Sequence, residues 1–229
     1  MSILADLTSL LLPRRCPVCH RRLGHAEPGL CSQCAMSLPR VQAGSLDDNA
    51  MLRRLWTRVP VEHAFALLAY RHSSPFHGLL VRIKYEGDLP LALALGEWVG
   101  QEAALAGLAA HADVLVPVPL TRQRMRERGY NQARLLAQGA ATALHVPVED
   151  LLVRRQQSSS QTALSAEQRG LNASGLYEAR VPRPYRGGHI VLVDDVMTTG
   201  STLTQCAEAI LAADPTAHIG LLTLAFAGE

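Results

Sequence analysis

Aromatic residues are scarce in this chain, at 4% of 229 residues, and lysine occurs once, at Lys84. So few rings disfavour a surface that grips single-stranded nucleic acid by base stacking. The core must instead be aliphatic, drawn from a 48% apolar fraction. No G-x-x-x-x-G-K-[ST] element exists, which excludes a P-loop nucleoside triphosphatase. The formal net charge is only +2, too small for an overall field toward nucleic acid or membrane. No apolar run reaches the length of a membrane-spanning helix. Asp6 interrupts the N-terminal apolar stretch and no basic residue precedes it, unlike a secretory signal. An N-terminal cysteine nucleophile of the glutaminase kind is also missing, so amide transfer from glutamine is not encoded.

Cysteine is sparse but patterned. Of five, four fall in two C-x-x-C units, Cys16-Pro17-Val18-Cys19 and Cys31-Ser32-Gln33-Cys34. Paired knuckles separated by a short loop let four thiolates converge tetrahedrally on one structural zinc ion. Redox-active pairs would need a thioredoxin-like context that is absent. His20 and His25 lie close by, but four sulfurs fill the site, and Cys206 reads as a small buried hydrophobe. This pattern belongs to a reducing compartment, so a cytoplasmic location is expected. We expect an N-terminal helix over 3–12 and the zinc ribbon within 1–38, a connector over 39–60, and an α/β domain over 61–229.

The stretch Ile190 to Thr202, I-V-L-V-D-D-V-M-T-T-G-S-T, is the chain's most informative. An unbroken apolar run of β-branched residues and Leu reads as a strand buried on both faces of a parallel sheet. It ends in Asp194 and Asp195, followed by a small turn, Thr198 to Thr202, and a helix from Leu203 to about Ala212. Backbone N–H groups of such a turn and the helix dipole favour an anion. Hydroxyls of Thr199, Ser201 and Thr202 add donors, and Gly200 permits close backbone approach. A capped helix after a buried strand is the plainer alternative.

Further strands are expected over 63–70, 113–118, 148–153 and 219–226. Phe76, Leu79, Leu80 and Ile83 form a helical stripe, ending in Lys84-Tyr85-Glu86-Gly87-Asp88. Lys84 is either a solvated cation at a helix end or a cleft-facing one. An Ala-rich helix is expected over Leu91–Ala110. After Pro117-Val118-Pro119-Leu120 come Arg122, Arg124, Arg126 and Arg128, then Gly129-Tyr130-Asn131-Gln132 and a helix to about Leu144. These arginines could be a nucleic-acid patch or a solvated face. They follow a strand end, so they sit at the same sheet edge as Asp194. Residues 154–172, with Gln161, Ser165 and Arg169, read as a polar loop or surface linker.

The acids with T-T-G-S-T resemble the phosphoribosyl pyrophosphate (PRPP) loop of type I phosphoribosyltransferases. The P-V-P-L and R-E-R-G-Y-N-Q segments, the K-Y-x-G-D turn, Gln161-Thr162-Ala163-Leu164-Ser165, Arg169, Asn172 and the cysteine pairs are similar to the ComF (GntX) family, in order and spacing over nearly the whole chain. The resemblance implies a type I phosphoribosyltransferase fold: α/β, mainly parallel sheet, helices on both faces, plus a small N-terminal zinc ribbon with four cysteine ligands. It implies that Asp194 and Asp195 hold the ribose hydroxyls and support catalysis. Val193 and Met197 to Thr202 (Met197, Thr198, Thr199, Gly200, Ser201, Thr202) complete the PRPP site. It further implies that Val118, Pro119, Leu120, Arg124, Arg128 and Lys84 form the pyrophosphate side. Gln161, Ser165 and Arg169 act as a closing loop, and Mg2+ accompanies PRPP. Thr198 stands where purine-salvage relatives carry an acid/base Asp, which argues against purine chemistry. Two roles are implied: phosphoribosyl transfer to an unidentified acceptor, or non-catalytic binding of PRPP or a nucleotide in support of DNA uptake. The second role acts through single-stranded DNA or an ATPase partner of the competence machinery. The oligomeric state is not encoded.

Overall fold

Alternation along a few short apolar strands decides the architecture. The computed structural model describes residues 14–24, 27, 29–41, 44–71, 74, 76–155 and 175–228. The helix expected over 3–12, His25, and the stretch carrying Gln161, Ser165, Arg169 and Asn172 lie outside the described residues. The strands are β1 (His63–Ala69), β2 (Val114–Pro117), β3 (Leu152–Arg154), β4 (Tyr177–Ala179), β5 (His189–Met197) and β6 (His218–Phe226). Four of them form an all-parallel sheet in the order β1-β6-β5-β2, and β3 pairs antiparallel with β4.

Side chains along a strand point alternately to its two faces. Val191, Val193, Leu115, Leu222 and Leu224 enter one core, while Ile190, Leu192, Val114, Val116, Ile219 and Leu221 enter the other. A sheet apolar on both faces must be covered on both. The helices are α1 (Ser32–Met36), α2 (Ala50–Arg53), α3 (His77–Tyr85), α4 (Leu89–Leu105), α5 (Arg122–Arg128), α6 (Gln132–Leu144) and α7 (Ser201–Ala213). Leu91, Leu95 and Val99 of α4 and Leu136, Ala137 and Ala140 of α6 cover the first face. Leu203, Cys206, Ala207 and Ile210 of α7 cover the second, together with Leu52, Leu55 and Val59. Burying each Leu or Ile in this way contributes about 1.5–3 kcal/mol. The chain therefore has the type I phosphoribosyltransferase architecture, a parallel sheet with helices on both faces, beside a cysteine ribbon. Among the described residues no helix is long and apolar enough to cross a membrane.

Two of the expected elements differ, and one helix is added. The Ala-rich helix stops at Leu105, because Gly107 (φ 96°) turns the chain into a short 3-10 segment, Leu108–His111. The helix expected to reach Leu144 is found as α6, and the arginines before it form a helix of their own, α5. Gly129 (φ 77°) ends α5, and Asn131 caps α6 by accepting from the N–H of Ala133. The strand expected over 148–153 is narrower: Val148 makes one isolated parallel bridge to Leu115, and only Leu152–Arg154 pairs as β3. The stretch read as a connector is also well packed. The N–H groups of Val41 and Ala69 donate to Leu67 and Pro39 carbonyls, so residues 39–41 run antiparallel along β1.

Candidate functional site

Strand β5 runs through its two acids and ends at Met197. Alternation then separates their environments. The Asp194 carboxylate Oδ1 accepts from the N–H of Asp195 (2.8 Å), which pins it at the strand end. Asp195 is 4% exposed and faces Lys84, with Nζ 3.1 Å from its Oδ1. Its Oδ2 is buried and has no hydrogen-bond partner among the described residues. Burial, and then the neighbouring charge of Asp195, push the Asp194 carboxyl above its usual range. Lys84 and Arg128 pull against that shift.

The turn after β5 is open where it should be. Thr198, Thr199, Ser201 and Thr202 are exposed. Gly200 (φ 78°) occupies the cap position of α7 and has no side chain to satisfy its first N–H groups. A side chain there would also collide, since a Cβ would meet Leu55 Cδ2 at 2.6 Å and Met197 Cε at 2.8 Å. The turn and Asp194 line a shallow concavity of about 30 Å³. Val193 and Met197 are core side chains, 1% exposed each, so they offer a ligand only backbone.

The expected pyrophosphate side divides. The N–H of Val118 donates to Val193 O (2.9 Å), and Val118 O accepts from Asn131 Nδ2 (3.0 Å). Both backbone groups are therefore engaged. Pro119 and Leu120 are half-buried beyond it. The alternating arginines are helical, so neighbours in the series point about 200° apart. Arg124 and Arg128 share one face and Arg122 and Arg126 another. Arg128 stacks over the Tyr85 ring at 5.0 Å and donates to Gln132 Oε1 at 2.7 Å. Tyr130 donates from its hydroxyl to Ile83 O (3.0 Å), tying this loop to α3 just before Lys84. Lys84 thus faces the cleft, against the acids.

Sequence reasoning missed Arg54 and Arg58. Arg54 Nη1 donates to the carbonyls of Thr198 and Ala227, each at 2.6 Å, and Arg58 Nη1 to that of Thr199 at 2.8 Å. These bonds engage the turn's carbonyls; among its N–H groups, that of Ser201 makes a long 3.4 Å bond to Thr199 Oγ1. The i, i+4 spacing of the two arginines beside buried Leu55 was the available signal. Nearby, a cavity of about 670 Å³ opens at the ends of β1 and β6. Its lining includes Arg40, Arg53, Tyr70, Arg71 and Phe226.

In the ribbon, the sulfurs of Cys16, Cys19, Cys31 and Cys34 lie within 4.8 Å of one another, a donor set that fits tetrahedral zinc. Burial disfavours ionisation of Cys16, but N–H donors from Cys31, Cys19 and Val18 outweigh it and hold its thiol at about 6. Cys206 is fully buried, and burial raises its pKa.

Comparison with known proteins gives two domain matches: a phosphoribosyl transferase domain over residues 131–229 and a double zinc ribbon domain over residues 7–45. The "DNA utilization protein YhgH" of Salmonella typhi is 31% identical over 214 residues, covering 88% of this chain and 92% of that protein. The "Competence protein F" of Haemophilus influenzae is 30% identical, over 86% and 90%. The "Competence protein ComFC" of Bacillus subtilis is 27% identical, over 91% and 76%. Among solved structures, one titled "Structure of the allosteric regulatory enzyme of purine biosynthesis" aligns at TM-score 0.39 and 23% identity, over 57% of this chain and 25% of that one.

Proposed function

The chain belongs to the ComF family, and on that premise we propose that it binds PRPP with Mg2+ across the C-terminal edge of β2, β5 and β6. One juxtaposition carries the reading: two acids at a strand end, directly before an uncapped helix N-terminus in a hydroxyl-rich turn. The turn's N–H groups and the hydroxyls of Thr199, Ser201 and Thr202 take the 5′-phosphate. Asp194 and Asp195 take the ribose hydroxyls, and the unpartnered Oδ2 of Asp195 is an acceptor in want of such a donor. Arg124 and Arg128 face the pyrophosphate, with Pro119 and Leu120 beneath it. Lys84, with Nζ 3.1 Å from Oδ1, holds Asp195 in place. Mg2+ would supply positive charge at the diphosphate.

In transfer, the bond from ribose C1 to pyrophosphate breaks and the electron pair leaves with pyrophosphate. The acceptor's nucleophile bonds to C1 and gives up its proton to solvent. The acids tolerate positive charge at C1, and the arginines offset charge on the leaving group. With pyrophosphate toward β2, the acceptor falls on the β6 and β1 side, where the cavity of about 670 Å³ lies. Thr198 provides no carboxyl for a purine N7.

A second reading is favoured by the zinc ribbon, which phosphoribosyl transfer does not need. In it the protein senses PRPP or a nucleotide and acts in DNA uptake through a partner or single-stranded DNA, as the relatives' names suggest. Calorimetry with PRPP and Mg2+ tests the shared premise. Asp194→Asn with Asp195→Asn weakens binding by more than about tenfold, since each lost charged hydrogen bond contributes about 1.5–3 kcal/mol. Unchanged affinity overturns the ribose assignment. Pyrophosphate release across a panel of bases and small amines then identifies a transferase, and binding without release identifies the accessory role.

A further inference from the structure

The opposite edge of the sheet holds a second cluster of metal-ligating side chains. His189 opens β5 and His218 opens β6, and the parallel register pairs them directly, Cα against Cα. Their rings stack with centroids 4.7 Å apart. Glu62 enters because its N–H donates to Ile219 O (2.9 Å) just before β1 begins. Its Oε1 accepts from His218 Nδ1 at 2.7 Å. One ligand atom from each of Glu62, His189 and His218 lies within 4.8 Å of the other two. Two ligands at about 2.0–2.2 Å from a shared ion stand about 3 Å apart, so modest closure of these side chains completes a three-ligand set.

The surroundings suit a cation. Asp113 Oδ2 accepts from the N–H of His189 (2.7 Å), which fixes that strand start and adds negative charge beside it. On the far side of His189 stand His111 and His63, with ring centroids 4.0 Å apart, and Asp47 acts electrostatically on both. Hence three carboxylates border the histidine row. The cluster shares no residue with the PRPP site or the ribbon.

We propose that Glu62, His189 and His218, brought together by the register of β5 on β6 and by the entry of β1, form a second metal site for a borderline divalent ion such as Zn2+ or Co2+. Two imidazoles and one carboxylate select such an ion over Mg2+ or Ca2+. Three protein ligands at an exposed edge leave coordination positions open to water or to a partner's side chain. This separates the site from the closed four-thiolate ribbon.

Cobalt is the probe, because its spectrum distinguishes the two donor sets. The full chain, its ribbon loaded with zinc, is titrated with Co2+. The wild type takes up one further equivalent, with visible ligand-field bands and no thiolate-to-cobalt charge-transfer band. His189→Ala with His218→Ala abolishes that uptake and keeps the ribbon zinc. Glu62→Gln, at a surface position where folding is not at risk, weakens uptake by at least about tenfold. No further equivalent in the wild type overturns the proposal, as do equal uptake in the variants or a thiolate charge-transfer band.

Discussion

Asp194 shows most directly how a residue proposed to bind ligand can work against the free fold. Its carboxyl sits above the ordinary carboxylate range because of burial and then the neighbouring charge of Asp195. Between the ordinary value and the raised one, the folded protein holds a proton that the unfolded chain releases. Stability therefore falls as pH rises through that window. Asp194→Asn removes the titration. We expect the ligand-free variant to melt a few °C higher at neutral pH and to lose this part of the wild type's downward slope. PRPP affinity falls in the same protein. Thermal unfolding of both proteins from mildly acidic to neutral pH checks the pair of effects. A variant that melts lower at neutral pH contradicts this account. The residue scale also marks what a sequence can show. Adjacent acids before T-T-G-S-T are legible because the chemistry is local. Arg54 and Arg58 were not, because they reach the turn from more than a hundred positions away, through packing of Leu52 and Leu55 that no spacing in the turn encodes.

At the scale of elements, α4 and α6 cross at backbone contact. A Cβ on Gly139 would press on Leu93 O and would lie 2.5 Å from Glu97 N; one on Gly100 would lie 2.5 Å from Ala140 Cα. Neither backbone can retreat without lifting a helix from the sheet. Replacing a helical glycine by alanine ordinarily gains up to about 1 kcal/mol, and overpacking ordinarily loses about 1–3 kcal/mol. The contact atoms here are backbone rather than a flexible side chain, so the steric loss wins. Gly139→Ala is expected to destabilise by about 2 kcal/mol. In α3, Gly78 has nothing among the described residues within 4 Å of its would-be Cβ, so Gly78→Ala is expected to stabilise by a few tenths to about 1 kcal/mol. Denaturant midpoints for the two variants test the contrast, and a shared sign refutes it. Periodicity exposed the strands and the α3 stripe in the sequence. It also placed the helix that follows Asn131-Gln132, but left the arginine run before Gly129 open, because α5 buries no residue that would set a period.

The whole molecule turns on how the ribbon is joined to the sheet. Sequence alone suggests a separable module whose folding rests on its metal. In the structure Cys16, Leu30, Cys31, Cys34 and Leu38 belong to the same apolar cluster as Leu67, Leu91 and Leu222. At Gly29 the ribbon lies against α4, where a Cβ would stand 3.2 Å from Ala94 Cβ. The ribbon thus contributes side chains to one face of the main core rather than hanging from it. Losing zinc should then loosen that face as well as the ribbon. We expect Cys16→Ser with Cys34→Ser to remove the bound zinc and to lower the main unfolding transition itself by several °C, in the manner of a core defect. A freely tethered ribbon would instead leave the main transition in place and melt separately. Calorimetric scans of the zinc-replete wild type and the double variant decide between these outcomes. Metal analysis of the wild type and the double variant, expected to differ by one zinc per chain, fixes the starting state.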